Sequence, residues 1–145
     1  MIAPALPRLL GPAGLLPQML ALAVVAFAPV EWAFAGVTGA QFYAAAILSF
    51  LGGIWWGLAT AAERPPGWLW IASVVPSLWA AGWLFTLQWG WNRAVLLALA
   101  AGLLAALAID QALVRSGLMP EWLWQLRVRL SVWLAILTGA TALVG

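Results

Sequence analysis

Charged and turn-forming residues divide this sequence into five long apolar stretches, which lie approximately at 10–31, 41–62, 68–87, 93–114 and 121–144. Each stretch is close to the roughly 20 residues that an α-helix needs to cross the hydrocarbon core of a bilayer. Helices are expected because an isolated strand could not pair its backbone N–H and C=O groups in lipid. The sequence therefore predicts an all-α integral membrane protein, a single domain of five transmembrane helices over residues 1–145.

The composition supports a lipid environment, because only 7% of the residues are charged and 66% are hydrophobic. Soluble domains carry about 25% charged residues, which help to cover their surface. The six arginines are scattered and form no basic stripe, so nucleic acid is not an expected partner. The expected partners are the lipid bilayer and other membrane proteins or further copies of this chain.

The arginines predict the orientation of the bundle. With five crossings, the N-terminus shares a side with the connections between helices 2 and 3 and between helices 4 and 5. Arg93 falls on the opposite side, and the N-terminal side collects the rest: Arg8, Arg64, Arg115, Arg127 and Arg129. Short loops rich in arginine remain on the cytoplasmic side of a membrane. The N-terminus is therefore predicted to be cytoplasmic and the C-terminus to lie outside.

The sequence offers no recognisable catalytic apparatus. It contains no His and no Cys, which removes the usual ligands of zinc and the thiolate nucleophile. The acids Glu31, Glu63 and Glu121 fall at predicted helix ends, far apart in the chain. No serine has a neighbouring base, and no glycine-rich phosphate loop is present. We therefore expect a protein that is not an enzyme and that has no cofactor and no metal site.

Small residues recur along the second predicted helix at every fourth position. Ala45, Ser49, Gly53 and Gly57 form this series, and such a series allows the backbone of another helix to approach closely in lipid. Close helix packing is the first interpretation. The alternative is that the glycines make room for a ligand.

The ligand alternative predicts a pocket with aromatic walls. Trp79 and Trp83 are one turn apart on the third predicted helix, and Trp56 follows the glycines of the second. Pro76 removes a backbone hydrogen bond from the third helix, which bends a helix and can open a cavity. Trp56, Trp79, Trp83 and Pro76 are therefore the candidate ligand pocket.

Asp110 is the acid that lies well inside a predicted span. An ionisable group at that depth is costly and needs a named partner. Arg127 reaches a similar depth on the next helix, since each residue adds about 1.5 Å. Arg129, two residues further on, points to a different face, so only one of the two arginines can pair with Asp110. An ion pair that joins the fourth and fifth helices is the preferred interpretation, and a proton or ion relay is the alternative.

Three segments of the sequence resemble a known family. They are Leu10–Pro17 (LGPAGLLP), Tyr43–Gly57 (YAAAILSFLGGIWWG) and Pro120–Ser131, with its pattern Pro-x-Trp-x-x-x-Leu-Arg-x-x-Leu-Ser. Together with Asp110 they resemble the DUF3429 (transmembrane protein 69-like) family. The resemblance implies a small protein of the bacterial inner membrane, or alternatively of the mitochondrial inner membrane. It also assigns the pairing with Asp110 to Arg127, but it implies no activity, because the family is one of unknown function.

Two functions are therefore expected. The first is an accessory or assembly subunit that packs within a larger membrane complex, because the chain has minimal loops and a series of small residues. The alternative is a membrane-embedded binder or transporter of a small molecule such as a lipid, tetrapyrrole or pigment. The translocator family is similar in architecture only, since it too consists of small, Trp-rich proteins with five helices.

Overall fold

A computed structural model describes residues 4–145 of the chain, and within these residues it contains helices and no strand. Six α-helices follow one another, and short 3₁₀ turns at Val30–Trp32 and Thr86–Trp89 precede α3 and follow α4. The helices are α1 (Ala5–Ala13), α2 (Leu16–Phe27), α3 (Ala33–Ala61), α4 (Gly67–Phe85), α5 (Asn92–Arg115) and α6 (Glu121–Val144).

Five helical segments are long and apolar enough to cross a membrane, which confirms the predicted number. The first combines α1 and α2 over Ala5–Phe27, and each of the other four contains one α-helix: Val30–Ala61, Gly67–Trp89, Asn92–Arg115 and Glu121–Val144. In chain order they are spans 1 to 5. Large apolar side chains cover the outside of the bundle, and Phe27, Phe34 and Leu143 are each more than 70% exposed. Lipid, rather than water, suits such a surface.

The structure changes the boundary between spans 1 and 2. Span 1 was predicted to end near residue 31 and span 2 to begin near residue 41, whereas α2 ends at Phe27 and α3 begins at Ala33. Ala28 is extended, with ψ at 162°, because the ring of Pro29 disfavours helical geometry in the residue before it. Nothing in 33–40 stops a helix, so α3 continues through a segment that was predicted to be a loop.

Span 1 is interrupted between α1 and α2, where Gly14 and Leu15 separate the two helices. Pro17 has no N–H, so it cannot continue the hydrogen-bond ladder across this break. The hydroxyl of Tyr43 on α3 donates a hydrogen bond to the carbonyl of Gly14. A side chain of span 2 therefore satisfies a backbone group at the interruption, as a broken helix in lipid requires.

Helix α3 lies at the centre of the bundle and contacts the helices of all the other spans. Its buried positions are three or four residues apart, which is the spacing of one helical face. They are Gly36, Ala40, Gln41, Ala44, Ala45, Leu48, Leu51, Gly52, Trp55 and Ala59.

Within residues 4–145, only Ala45 of the predicted packing face on α3 is buried inside the bundle. Ser49, Gly53 and Gly57 are exposed, and a Cβ atom added to either glycine would meet nothing within 4 Å. Each step of four residues turns about 40° further around a helix, so three such steps leave the original face by about 120°. The close approach is instead made at Gly52, where an added Cβ would lie 2.1 Å from the Ser73 carbonyl oxygen of α4.

Candidate functional site: a buried ion pair between two cavities

Asp110 of α5 is the centre of a hydrogen-bonded group that joins three spans. Nε and Nη2 of Arg127, on α6, donate to its Oδ2 at 3.0 and 2.7 Å. Nε1 of Trp55, on α3, donates to its Oδ1 at 2.7 Å. Asp110 is fully buried, and Arg127 and Trp55 are nearly so. The group therefore ties spans 2, 4 and 5 together where they would cross the apolar core.

Local geometry explains why Arg127 reaches Asp110 and Arg129 does not. Gly117 adopts a left-handed conformation, with φ at 72°, and so reverses the chain between α5 and α6. Asp110 lies five residues before the end of α5, and Arg127 lies six residues after the start of α6. Their depths match on antiparallel neighbours. Arg129 is about 200° further around α6 and is exposed.

The charges within this group cancel, because one carboxylate faces one guanidinium. Both carboxylate oxygens have donors, so Asp110 is fully satisfied by protein groups. A buried pair of this kind contributes little net stability, but the loss of one partner strands a charge at low dielectric. The indole of Trp55 is the member of the group that was not predicted. The sequence did not distinguish it from Trp56, because the buried 3–4 spacing that includes Leu48, Leu51 and Gly52 is known only from the structure.

The lateral cavity, of about 380 Å³, lies on one side of this group, between α3, α4 and α5. Its walls are apolar, and they include Leu48, Trp55, Ala72, Val75, Pro76, Trp79, Ala101, Gly102, Ala105, Ala106 and Ile109. Gly102 makes room for Trp79, because an added Cβ would lie 3.0 Å from the indole. Trp79 Nε1 donates to the Ala98 carbonyl at 2.9 Å and so fixes the ring against α5.

The residues that line this cavity differ from the predicted ligand pocket. Pro76 and Trp79 line it as predicted, whereas Trp56 does not, and Trp55 takes its place. Trp56 faces outward and packs edge-on against Trp70, with ring centroids 4.9 Å apart. Adjacent residues differ in direction by about 100° on a helix, so only one of the paired tryptophans can face inward. Trp83 contacts Trp79 and lines a separate shallow depression of about 250 Å³.

A second cavity, of about 400 Å³, lies on the other side of the ion pair, between α1, α3 and α6. This Arg127 cavity was not predicted. Its lining is apolar except for Arg127 and Ser131, and it comprises Pro7, Leu10, Gly11, Gly14, Leu15, Ile47, Phe50, Leu51, Ile54, Trp122, Leu123, Leu126, Arg127, Leu130, Ser131 and Leu134. The three segments that carry the family resemblance all contribute to its walls.

Two buried glutamine side chains also form contacts between spans that were not predicted. Gln18 Nε2 of span 1 donates to Thr138 Oγ1 of span 5 at 2.9 Å, and Gln41 Nε2 donates to the backbone and side-chain oxygens of Asn92. A glutamine inside an apolar span signals such a contact. The partner could not be read from the sequence, since Gln18 and Thr138 are 120 residues apart.

Fold and site together define a helical bundle with a membrane-type apolar exterior, five candidate spans and a charge pair in its interior. The family model of DUF3429, described as a protein of unknown function, matches residues 3–143, and the chain belongs to this family. No curated protein and no solved structure matches the chain.

Proposed function

We propose that this protein is a non-enzymatic, multi-pass membrane protein that acts by packing against a helix of another membrane protein, as an accessory or assembly subunit. The observation that carries the proposal is the outward groove on α3, formed by Ser49, Gly53 and Gly57. These residues are small and exposed, and a Cβ atom added to Gly53 or Gly57 would meet nothing within 4 Å. Small residues at a spacing of four are the feature that lets a second helix approach closely in lipid.

Aromatic side chains border this groove and give it depth. Phe42 and Phe50 are 56% and 64% exposed, and Trp56 is 48% exposed. Their rings stand beside a strip of backbone that carries almost no side-chain volume. A helix laid along the groove would bury these rings and gain the dispersion contacts that drive helix association in lipid.

The membrane and the orientation are part of the same proposal. The N-terminus faces the cytoplasm and the C-terminus faces outward, because the arginine-rich helix ends remain on the cytoplasmic side. The membrane is the bacterial inner membrane, or alternatively the mitochondrial inner membrane. Fusions of a reporter that is active on only one side, placed after Gly145 and inside the 62–66 connection, test the orientation. A reporter that is active only outside should be active after Gly145 and inactive in the 62–66 connection. The reverse pattern, or equal activity of the two fusions, would refute the orientation.

Cross-linking from single cysteines tests the groove directly, since the sequence contains no Cys. Ser49→Cys and Gly53→Cys would carry a maleimide with a short photoreactive arm, in the protein's own membrane. Gly82→Cys is the matched control, because Gly82 is exposed on α4 and an added Cβ would meet nothing within 4 Å. The proposal expects defined protein adducts at Ser49 and Gly53 and only lipid adducts at Gly82. Lipid adducts at all three positions would refute it.

A second candidate function is the binding of an apolar small molecule, which the lateral cavity favours. Its volume of about 380 Å³ falls within the range of small-molecule sites, and Trp55 and Trp79 provide flat apolar walls. Ala105→Leu would fill it from α5. Retention of an apolar guest by the purified protein, and its loss in this variant, would support the function; equal retention by both would contradict it.

A further inference from the structure

The Arg127 cavity differs from the lateral cavity because it contains polar groups with unused hydrogen-bonding capacity. Arg127 has five N–H donors, of which Asp110 accepts two. Nη1 contacts no acceptor among residues 4–145, and neither does the hydroxyl of Ser131. Both side chains are more than nine-tenths buried, at 6% and 3% exposure, and both line the cavity.

These two groups converge on one place. Arg127 and Ser131 are four residues apart on α6, so they project from the same face one turn apart. An apolar cavity of about 400 Å³ with a few convergent polar groups has the form of a small-molecule site.

The charge balance of the cavity selects the kind of group that can bind there. Asp110 already neutralises Arg127, and Arg127 is the only charged residue in the lining. An added carboxylate or phosphate would leave one negative charge without a partner, which is costly in an apolar interior. A neutral carbonyl accepts hydrogen bonds without this cost.

The position of the cavity indicates an amphiphile. Pro7 and Trp122 lie near the starts of α1 and α6 and line one end, so the cavity reaches the helix ends. Arg127 is six residues into α6, which places it about 9 Å deep at about 1.5 Å per residue. An amphiphile whose carbonyl lies at that depth would place its apolar tail beside Ile47 and Leu134, two lining residues that lie deeper in the bundle.

We infer that the Arg127 cavity binds a neutral, carbonyl-bearing amphiphile, whose carbonyl accepts hydrogen bonds from Arg127 Nη1 and Ser131 Oγ. The ester of a glycerolipid and the ring carbonyl of a quinone-type dione share this chemistry. This inference is separate from the proposed packing function, because none of Ser49, Gly53 and Gly57 lines the cavity, although Phe50 borders both.

Binding is measured by native mass spectrometry on protein purified in a maltoside detergent, which contains no ester. The probes are a decyl-substituted benzoquinone, dioctanoylglycerol and decanoate. Ser131→Ala leaves the ion pair intact and should weaken binding of the neutral probes roughly two- to tenfold, as the loss of one hydrogen bond does. Leu130→Trp fills the cavity and should abolish binding. Leu104→Trp is the matched control, because Leu104 is 47% exposed and lines neither cavity.

Tighter binding of the benzoquinone or the glycerolipid than of decanoate, with both variant effects, supports the inference, and the tighter neutral probe identifies the source of the carbonyl. Binding of decanoate at equal or higher affinity overturns the neutral head group. If Ser131→Ala and Leu130→Trp leave binding unchanged, the probes do not bind in the Arg127 cavity. If neither neutral probe binds, the cavity is not a site for a neutral amphiphile. Circular dichroism of each variant confirms that the helices are retained.

Discussion

Two adjacent glycines on α3 give a sharp test of how the bundle packs, because one faces α4 and the other faces outward. Gly52→Ala would place a Cβ atom 2.1 Å from the Ser73 carbonyl oxygen, whereas Gly53→Ala would meet nothing within 4 Å. Real Cβ atoms do not approach closer than 3.0 Å, so α3 and α4 must separate by about 1 Å to accept alanine at 52.

The expected effect is the difference between the two variants. Both replace a glycine in a helix interior, which favours the helix by up to about 1 kcal/mol in each case. Only Gly52→Ala overpacks an interface, at a cost of about 1–3 kcal/mol in the free energy of unfolding. Gly53→Ala should therefore be neutral or slightly stabilising. The free energy of unfolding of Gly52→Ala should be about 1–3 kcal/mol lower than that of Gly53→Ala.

Unfolding by sodium dodecyl sulfate in mixed micelles, followed by circular dichroism, measures this difference. The backbone position and the chemistry of the change are matched, so propensity and side-chain entropy cancel between the variants. Equal unfolding midpoints, or a larger loss for Gly53→Ala, would show that α4 does not approach α3 at Gly52.

Three further predictions concern the buried polar groups. Asp110→Asn strands the charge of Arg127 and should lower the unfolding free energy by about 3–5 kcal/mol; a well-folded variant would instead favour the relay hypothesis. Trp55→Phe keeps an aromatic wall but removes one donor, which should cost about 1–2 kcal/mol by the same titration, and no loss would contradict the hydrogen bond. Gln18→Leu with Thr138→Val removes both members of one contact and should cost less than about 2 kcal/mol. A larger loss would mean that this contact, and not the ion pair, dominates.

The number of spans and the pairing of Asp110 with an arginine could be predicted, because each depends on local properties. Chain hydropathy marks the spans, and the short connection between α5 and α6 sets the depth of Arg127. A proline could be read as a helix end only approximately: Pro29 ended α2 earlier than predicted, and α3 gained its first eight residues from a segment without a breaker.

The cavities and the face of α3 that packs inside the bundle could not be predicted, because they depend on rotation of a helix about its axis. The choice between Trp55 and Trp56, or between Gly52 and Gly53, is a difference of about 100° that hydropathy does not resolve in an apolar helix. The Arg127 cavity additionally requires knowing that α1 lies beside α6, and residues so distant in sequence carry no local signal of that contact.

The proposed packing function is tested most directly by native mass spectrometry of membranes that contain the protein, without extraction into detergent. The measured quantity is the mass of the complex that is released. The proposal predicts this chain in a defined complex with another membrane protein, and loss of that complex in Gly53→Leu but not in Gly82→Leu. A single chain accompanied only by lipid in the wild type, or the same complex in both variants, would contradict it.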